Sequence, residues 1–299
     1  VVCFGVMTVS TPLIAFCSER AISLAFLSEQ GRFWGQVHGK LTGNVLLRRR
    51  QHAALEDMLQ ARSLARSFLL GKLSNSRNTL LRSRRELTEA GSRERLLQAA
   101  NCQTALSRDM QEAISLDELR GLEGVAASSY FSVFDDMIRT DDPGWHFNVR
   151  SRRPAQNATN ALLNYTYALL RNEIVSALSA VGFDPAVGYL HALRPGRPAL
   201  ALDMMEELRS PLCDRFVLTL INRKQVGLHD FDNHASEFLL TDKARKTVVT
   251  AWQTRKQETL EHPFFHEKVP IGLIPFLQAS LLAHFFRGDI DAYPPFSWR

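Results

Sequence analysis

Residues 44–64, NVLLRRRQHAALEDMLQARSL, decide the fold class of this chain. Their leucines and methionine recur at roughly three- and four-residue intervals, which is the spacing of one face of an α-helix. Similar patterns occupy about residues 92–114, 116–138, 157–181, 199–225, 241–258 and 271–286. We therefore predict that residues 44–299 form a large all-α domain.

The chain before residue 44 has a different pattern. The short runs VVCFGVM, AISLAFLS and RFWGQV are rich in β-branched and aromatic residues and predict strands. Between the first two runs, Thr11 as N-cap and Pro12 at the first helical position predict a short helix. So few strands make a poor independent sheet, and we expect further strands of a small N-terminal β domain before Val1. The predicted fold class is α+β, with residues 1–43 as the remainder of that β domain and a linker.

The charge of the chain is only mildly basic. A formal net charge of +5 over 299 residues does not by itself establish a polyanionic partner. The positive residues are clustered, however, and each cluster is either a solvated helix face or a set of phosphate contacts. The clusters are Arg48–Arg50, Arg82 with Arg84 and Arg85, Arg150 with Arg152 and Arg153, and Lys243 with Arg245 and Lys246.

The cysteines indicate the compartment. Cys3, Cys17, Cys102 and Cys213 have no CxxC spacing, which argues against a structural zinc site and against a disulfide framework. No run approaches about eighteen purely apolar residues, and the first residues lack the pattern of a secretory signal. We expect a cytoplasmic protein with no membrane partner.

Asp203 and Glu206 are candidate metal ligands. They are three residues apart on a predicted helix and therefore lie on one face, where two carboxylates could share a cation. The alternative is a solvated acidic edge near a helix N-terminus. The flanking apolar sequences, ALAL before Asp203 and MM after it, favour a buried helix, and a buried carboxylate needs a cation or hydrogen-bond donors.

Glu123 and His191 are the other two candidates. Glu123 lies in LEGVAASSY, on a helix whose start is predicted by the capping-box pair Ser115 and Glu118. Its small neighbours would let other backbones approach closely, although a plain surface glutamate is an equal alternative. His191 lies between two predicted helices and is either a neutral imidazole ligand or a hydrogen-bonded core histidine.

Two further histidine clusters compete with these residues. The segment HDFDNH, residues 229–234, is rich in ligand-type side chains but has the composition of a polar loop. His262 and His266 have the spacing of two ligands on one helix, but Pro263 biases His262 away from helical conformation. Neither cluster is favoured as a metal site.

The motifs resemble those of a known family. LEGVAASSYF, FNVRSRRPAQNATNALLNYTYALL, GFDPAVGYLHALRPGRPALALDMMEELRSPLCDRF and LINRKQV are similar to successive motifs of the CRISPR-associated endonuclease/integrase, the catalytic member of the universal spacer-acquisition pair. The segments TDKARKTVVTAWQTRKQETLEHPF and LLAHFFRGDIDAYPPFSWR resemble its type I-C branch. The combination of Glu123 with a histidine twelve residues before Asp203 and fifteen before Glu206 is specific.

The resemblance implies the site and its cofactor. It implies an N-terminal β domain, a C-terminal helical domain, and a site for Mg²⁺ or Mn²⁺ at Glu123, His191 and Glu206. Asp203 matches a further acidic position, as an auxiliary ligand or a nearby proton acceptor. The residues that fall in motif segments and are candidates for DNA or active-site contacts are Arg150, Arg152, Arg153, Asn160 and Arg197.

The resemblance also implies the reaction and the partners. The enzyme would insert new spacers into a CRISPR array by attack of a 3′-hydroxyl on a phosphodiester, a transesterification, and water in place of the hydroxyl would give nuclease activity. The expected partners are double-stranded DNA, as donor spacer and CRISPR repeat, a small ferredoxin-like adaptation protein, and a second copy in a homodimer. Two alternatives stay open: a metal-dependent nuclease without joining activity, and a non-catalytic DNA-binding structural protein.

Overall fold

A computed structural model describes most of the chain. The described residues are 1–20, 22, 24–28, 33–37, 45–140, 142–234 and 237–298. The predicted boundary between the two domains, at residues 43 and 44, lies outside the described residues. No helix within these ranges is long and apolar enough to cross a membrane.

The N-terminal part is a small three-stranded sheet with one helix. Strand β2 (Leu24–Leu27) is central, parallel to β1 (Val2–Phe4) and antiparallel to β3 (Phe33–Val37). Helix α1 (Thr11–Glu19) connects the first two strands. The predicted N-cap was wrong by one residue: the hydroxyl of Ser10 accepts the N–H of Leu13, so Thr11 and Pro12 occupy the first two helical positions.

The rest of the chain is mainly helical, as predicted. The helices are α2 (Val45–Glu56), α3 (Met58–Glu86), α4 (Ala90–Glu112), α5 (Leu116–Ser132), α6 (Ala158–Val181), α7 (Ala199–Leu208), α8 (Arg215–Asn222), α9 (Asp242–Gln257) and α10 (Ile274–Arg287). The fold class, a small β part followed by a large helical domain, is confirmed. The predicted helix 116–138 ends early, at Ser132, and a single 3₁₀ turn follows at Asp135–Met137.

The predicted helix 199–225 changes its winding in the middle. A π-helical segment, Arg209–Asp214, separates α7 from α8. Pro211 lies within this segment, and proline has no N–H to continue the regular hydrogen bonds of an α-helix.

Two short hairpins in the helical domain were not predicted. Strands β4 (Phe231–His234) and β5 (Glu237–Leu240) form one, and β6 (Thr259–Glu261) and β7 (Lys268–Pro270) form the other. Strands of three or four residues are too short to show an alternating apolar pattern.

The core positions the site. Helix α6 is central, with most of its side chains buried, and it packs against α7 and α10. The long helix α3 packs against α4, α5 and α7. Helices α3, α5 and α7 therefore meet on one side of the core, and the loop between α6 and α7 closes over them.

Candidate active site

Asp203 is fully buried on α7 and holds the loop that precedes this helix. Its Oδ2 accepts the N–H groups of Tyr189 at 2.6 Å and Leu190 at 3.0 Å. Its Oδ1 accepts the N–H of His191 at 3.0 Å and lies 2.7 Å from Nδ1 of the same residue. The carboxylate is thus surrounded by donors from one short loop, which it fixes to the helix.

Gly188 makes this close approach possible. A Cβ at this position would lie 2.5 Å from the carbonyl carbon of Ala199 and 2.7 Å from Oδ2 of Asp203. Any side chain would push the loop away from α7. The glycine in GYLH is therefore required by the packing of the loop on the helix.

His191 is oriented by Asp203 toward Glu206. An ionised carboxylate can only accept, so Nδ1 of the ring carries a proton and the neutral imidazole has its lone pair on Nε2. Nε2 lies 3.8 Å from Oε1 of Glu206. The side chain is partly open to solvent, at 20% exposure. This is the geometry of an imidazole presented as a ligand or base.

Glu206 is a buried carboxylate held by cations. Arg209 Nη1 lies 2.6 Å from Oε1, and Lys72 Nζ lies 2.8 Å from Oε2. Burial disfavours the charged form, but the cations Arg209 and Lys72 together outweigh it and lower the pKa of Glu206 to about 2. Glu206 is therefore ionised at neutral pH.

Lys72 joins Glu206 to Glu123. Its ammonium, on α3, also forms an ion pair with Oε1 of Glu123 on α5. Lys72 is only 13% exposed, whereas Glu123 is 30% exposed and faces the open side of the site. The structure therefore brings Glu123, His191 and Glu206 together, with a lysine between the two glutamates.

The donor set suits a hard divalent cation. One imidazole and two carboxylates are ligands that Mg²⁺ and Mn²⁺ accept. Oε2 of Glu206 is buried and has only the ion pair with Lys72, without an aligned hydrogen bond. Within the described ranges, no three His, Cys, Asp or Glu side chains lie close enough together to hold an ion as they stand. The cations Lys72 and Arg209 balance the carboxylates instead.

The predicted DNA-binding arginines divide into two groups. Arg150 is half-buried and donates to Oδ1 of Asn160 at 2.9 Å and of Asn164 at 2.7 Å. Asn160 is fully buried and braces the start of α6. Arg152 and Arg153 are exposed, and Arg197 is partly exposed with one weak bond to the carbonyl of Ala192. The latter three are accessible to a ligand, whereas Arg150 serves the fold.

The competing histidines lie elsewhere. His262 is buried, with one ring nitrogen 3.2 Å from Oε1 of Gln278 and the other accepting the N–H of Phe264. His266 is exposed on the turn between β6 and β7, and His229 is exposed beside Asp230. Both ring nitrogens of His262 are thus occupied within the protein.

Three charged groups near the site were not identified from the sequence. Lys72 and Arg209 hold Glu206, and Asp214 lies buried at the end of the π-helical segment. The hydroxyls of Tyr130 and Tyr167 donate to Asp214 at 3.0 and 2.6 Å. Burial raises the pKa of Asp214 to about 6, against the effect of the tyrosine hydrogen bonds and of nearby arginines. Arg209 also lies over the ring of Tyr167 and so links Asp214 to Glu206.

Known proteins resemble this chain over nearly its whole length. The family model described as CRISPR associated protein Cas1 matches residues 1–254. A protein of Chlorobaculum tepidum named CRISPR-associated endonuclease Cas1 1 is 48% identical over 100% of this chain and 88% of its own length. CRISPR-associated endonuclease Cas1 2 of Rhodospirillum rubrum is 47% identical with the same coverage.

Solved structures share the fold. A CAS1 protein from Thermotoga maritima superposes with a TM-score of 0.81 at 23% identity, over 96% of this chain and 86% of its own. A casposase bound to integration product gives 0.81 at 19% identity, over 98% and 79%. A chain of a Cas6-RT-Cas1–Cas2 complex gives 0.80 at 24% identity, over 99% of this chain and 32% of that one. By its sequence and its fold, the chain belongs to the Cas1 family of CRISPR-associated proteins.

Proposed function

We propose that this chain is a metal-dependent DNA endonuclease/integrase that inserts new spacers into a CRISPR array by 3′-hydroxyl attack on a phosphodiester. The observation that carries the proposal is the pairing of Glu123 and Glu206 with one lysine, with Nε2 of His191 3.8 Å from Oε1 of Glu206. Family membership supports a nuclease reaction, because two curated relatives at 47–48% identity are named CRISPR-associated endonuclease. Residues 44–299 would form the catalytic domain.

Glu123, His191 and Glu206 would hold Mg²⁺ or Mn²⁺. Such an ion polarises a scissile phosphodiester and stabilises the charge that develops on it. Glu206 is already ionised at neutral pH, and the contact of Nδ1 with Asp203 leaves Nε2 as the ligand atom of a neutral His191 ring. Glu123, the most exposed of the three, lies on the side from which DNA would approach. Lys72 must leave the space between the two glutamates, and its ammonium is then close enough to contact a phosphate oxygen.

Asp203 would act through His191 rather than on the substrate. Both of its oxygens are occupied by donors from the 189–191 loop, so no lone pair is directed at the site. We therefore assign it as a positioning residue, which fixes the tautomer and the ring direction of His191. Arg209 is likewise assigned as a positioning residue, which holds the carboxylate of Glu206 in place.

The binding of DNA would involve exposed arginines. Arg152, Arg153 and Arg197 can reach phosphate oxygens, and binding through them weakens as the salt concentration rises. A small ferredoxin-like adaptation protein is the proposed partner, supported by the similarity to a chain of a Cas1–Cas2 complex. A homodimer, a cytoplasmic location and the type I-C branch are part of the same proposal.

A strand-transfer assay tests the proposal. A labelled short duplex with free 3′-hydroxyls is incubated with a supercoiled plasmid that carries a leader and a repeat, with the small partner and Mn²⁺ or Mg²⁺. The chain is compared with His191→Ala and with His52→Ala, which removes an exposed histidine on α2 as a matched control. We expect joined product from the chain and from His52→Ala, and none from His191→Ala.

The other outcomes identify the alternatives. Cleavage of branched DNA without joined product would indicate a nuclease that does not join strands. DNA binding that is unchanged when Glu123, His191 and Glu206 are replaced by alanine, without cleavage or joining, would indicate a structural DNA-binding protein. Either result would overturn the integrase proposal.

A further inference from the structure

A second charged pocket lies away from the glutamates, between α3, α8 and the 3₁₀ turn after α5. It has a volume of about 120 Å³, and its lining includes four arginines and one glutamate: Arg82, Arg139, Arg215, Arg223 and Glu86. Arg82, Arg139 and Arg223 are exposed at its rim, and Arg215 is half-buried. The pocket is therefore open to a ligand from solvent.

The single carboxylate does not balance these charges. Glu86 lies 2.9 Å from Nη2 of Arg139 and 3.9 Å from Nε of Arg82. Among the described residues, no carboxylate lies within ion-pair distance of Arg215 or Arg223. Four guanidinium groups and one carboxylate leave the pocket with an excess of three positive charges.

Arg215 is held in place without a counterion. Its guanidinium carbon lies 4.2 Å from the centre of the Trp298 ring, so the aromatic face fixes the plane of the group. Burial, together with the neighbouring cations Arg82 and Arg255 and against smaller effects of Glu86 and Tyr130, lowers the pKa of Arg215 to about 10. A half-buried arginine repelled by its neighbours is stabilised when an anion arrives.

We propose that this pocket binds a phosphate group. Planar guanidinium groups match the oxygens of phosphate in pairs, and several converging on one small cavity favour phosphate over a carboxylate. The group could belong to a DNA backbone or be free inorganic phosphate. The DNA source rests on the proposed function.

The location fits a DNA backbone. Arg82 is ten residues beyond Lys72 on α3, a separation of about 15 Å along the helix. One strand of a duplex carries a phosphate about every 3.4 Å along its axis, so the pocket would hold a phosphate about four nucleotides from the one at the glutamates. A contact at this distance would orient the strand without taking part in the chemistry.

The test combines DNA binding with phosphate binding. The dissociation constant for a short duplex is measured by fluorescence anisotropy over a range of salt concentrations, for the chain, Arg215→Gln, Arg215→Lys and Arg223→Gln. Arg287→Gln, which removes an exposed charge at the end of α10, is the control. Melting temperatures are measured with inorganic phosphate against chloride at equal ionic strength. Mn²⁺ binding to each variant is measured by calorimetry.

We expect the slope of log affinity against log salt to become shallower by about 0.9 in Arg215→Gln and in Arg223→Gln, and to stay unchanged in Arg287→Gln. Arg223 is exposed, so its variant reports on the pocket even if Arg215→Gln lowers the melting temperature. In Arg215→Lys, the slope should lie between that of the parent chain and that of Arg215→Gln. Mn²⁺ affinity should not change in any of them.

The outcomes separate the two sources. Phosphate that raises the melting temperature only when Arg215 is present, with an unchanged salt slope, identifies free phosphate as the ligand. If the arginine variants change neither the salt slope nor the effect of phosphate on the melting temperature, the proposal is overturned. If phosphate binding depends on Arg215 but the chain does not join DNA, the pocket stands and the proposed function fails.

Discussion

Nζ of Lys72 lies 2.8 Å from Oε2 of Glu206, while the same ammonium pairs with Glu123. Lys72 is on α3, Glu206 on α7 and Glu123 on α5, so one side chain connects the three helices of the site. Without this charge, two carboxylates would face each other, and Arg209 alone would neutralise the buried Glu206. The lysine therefore stabilises the arrangement that a divalent cation would otherwise stabilise, and it competes with that cation for the same oxygens.

Replacement of Lys72 should strengthen metal binding. In Lys72→Met, the positive charge next to Glu206 is lost, and a divalent cation no longer has to displace or approach it. We expect Mn²⁺ to bind at least about tenfold more tightly, a change of about 1.4 kcal/mol, when measured by isothermal titration calorimetry.

Lys256 supplies the control for this experiment. Its Nζ lies 2.7 Å from Oε1 of Glu173 in a pair that is also partly buried, far from the glutamates in sequence. Lys256→Met should leave Mn²⁺ affinity unchanged. Equal or weaker binding by Lys72→Met would show that the lysine does not compete with the metal.

Arg209 should be required for the buried charge of Glu206. Removing one partner of a buried ion pair leaves the other uncompensated, so Arg209→Met should lower the free energy of unfolding at pH 7 by about 3 kcal/mol, measured by urea denaturation. The pKa of Glu206 should rise in this variant. The stability that this group contributes, present above about pH 4.5 and lost as the pH falls toward 2, should diminish accordingly.

A double-mutant cycle separates this effect from a general loss of packing. Glu206→Gln removes the charge that Arg209 neutralises, so the double variant should be more stable than the sum of the two single effects predicts. Effects that add to within about 0.5 kcal/mol would mean that the two residues do not interact energetically.

The sequence predicts the candidate ligands of the site. It does not predict the charged residues that pack against them, because their positions depend on how the helices pack in the folded chain. The spacing of Asp203 and Glu206 places both on one face of α7, and the apolar neighbours correctly predict burial. The helical pattern of residues 44–64 covers only the first two turns of α3, and it does not show which charged residues of this helix face the site. That depends on how α3 packs on α7. Gly71 marks the face of α3 that packs closely on α7, because a Cβ at this position would lie 2.9 Å from Cβ of Glu207.

Arg209 shows the same limit. It is three residues from Glu206, a spacing that a helix uses for ion pairs, but Asp117 and Arg120 have the same spacing on the surface of α5. Sequence separation does not distinguish a buried pair from an exposed one. The network around Asp214 joins Tyr130, Tyr167 and the π-helical segment from distant positions, and it becomes visible only in the folded chain.

Asp203 should act on His191. In Asp203→Asn, an amide NH₂ must replace one carboxylate oxygen, and all the groups around it are already donors. We expect the 189–191 loop to shift and Mn²⁺ affinity to fall by about 10- to 100-fold. The ¹⁵N NMR shifts of the His191 ring should show a loss of the Nδ1-protonated form, which a purely structural role would not change. Asp184→Asn, whose Oδ1 accepts only the N–H of Ala186 in the preceding turn, should alter neither measurement.

Asp214 should make stability fall as the pH rises. Its pKa is about 6 in the folded chain and near 3.8 when unfolded, so between these values the folded state binds more protons and loses stability with increasing pH. The loss should reach about 3 kcal/mol near pH 6 and then level off.

Asp214→Asn removes this group while keeping an acceptor for the tyrosine hydroxyls. The stability difference between variant and parent, from urea denaturation at several pH values, should therefore rise in favour of the variant between about pH 4 and 6. A constant difference across that range would mean that Asp214 is ionised in the folded chain throughout, with Arg150 and Arg209 outweighing its burial.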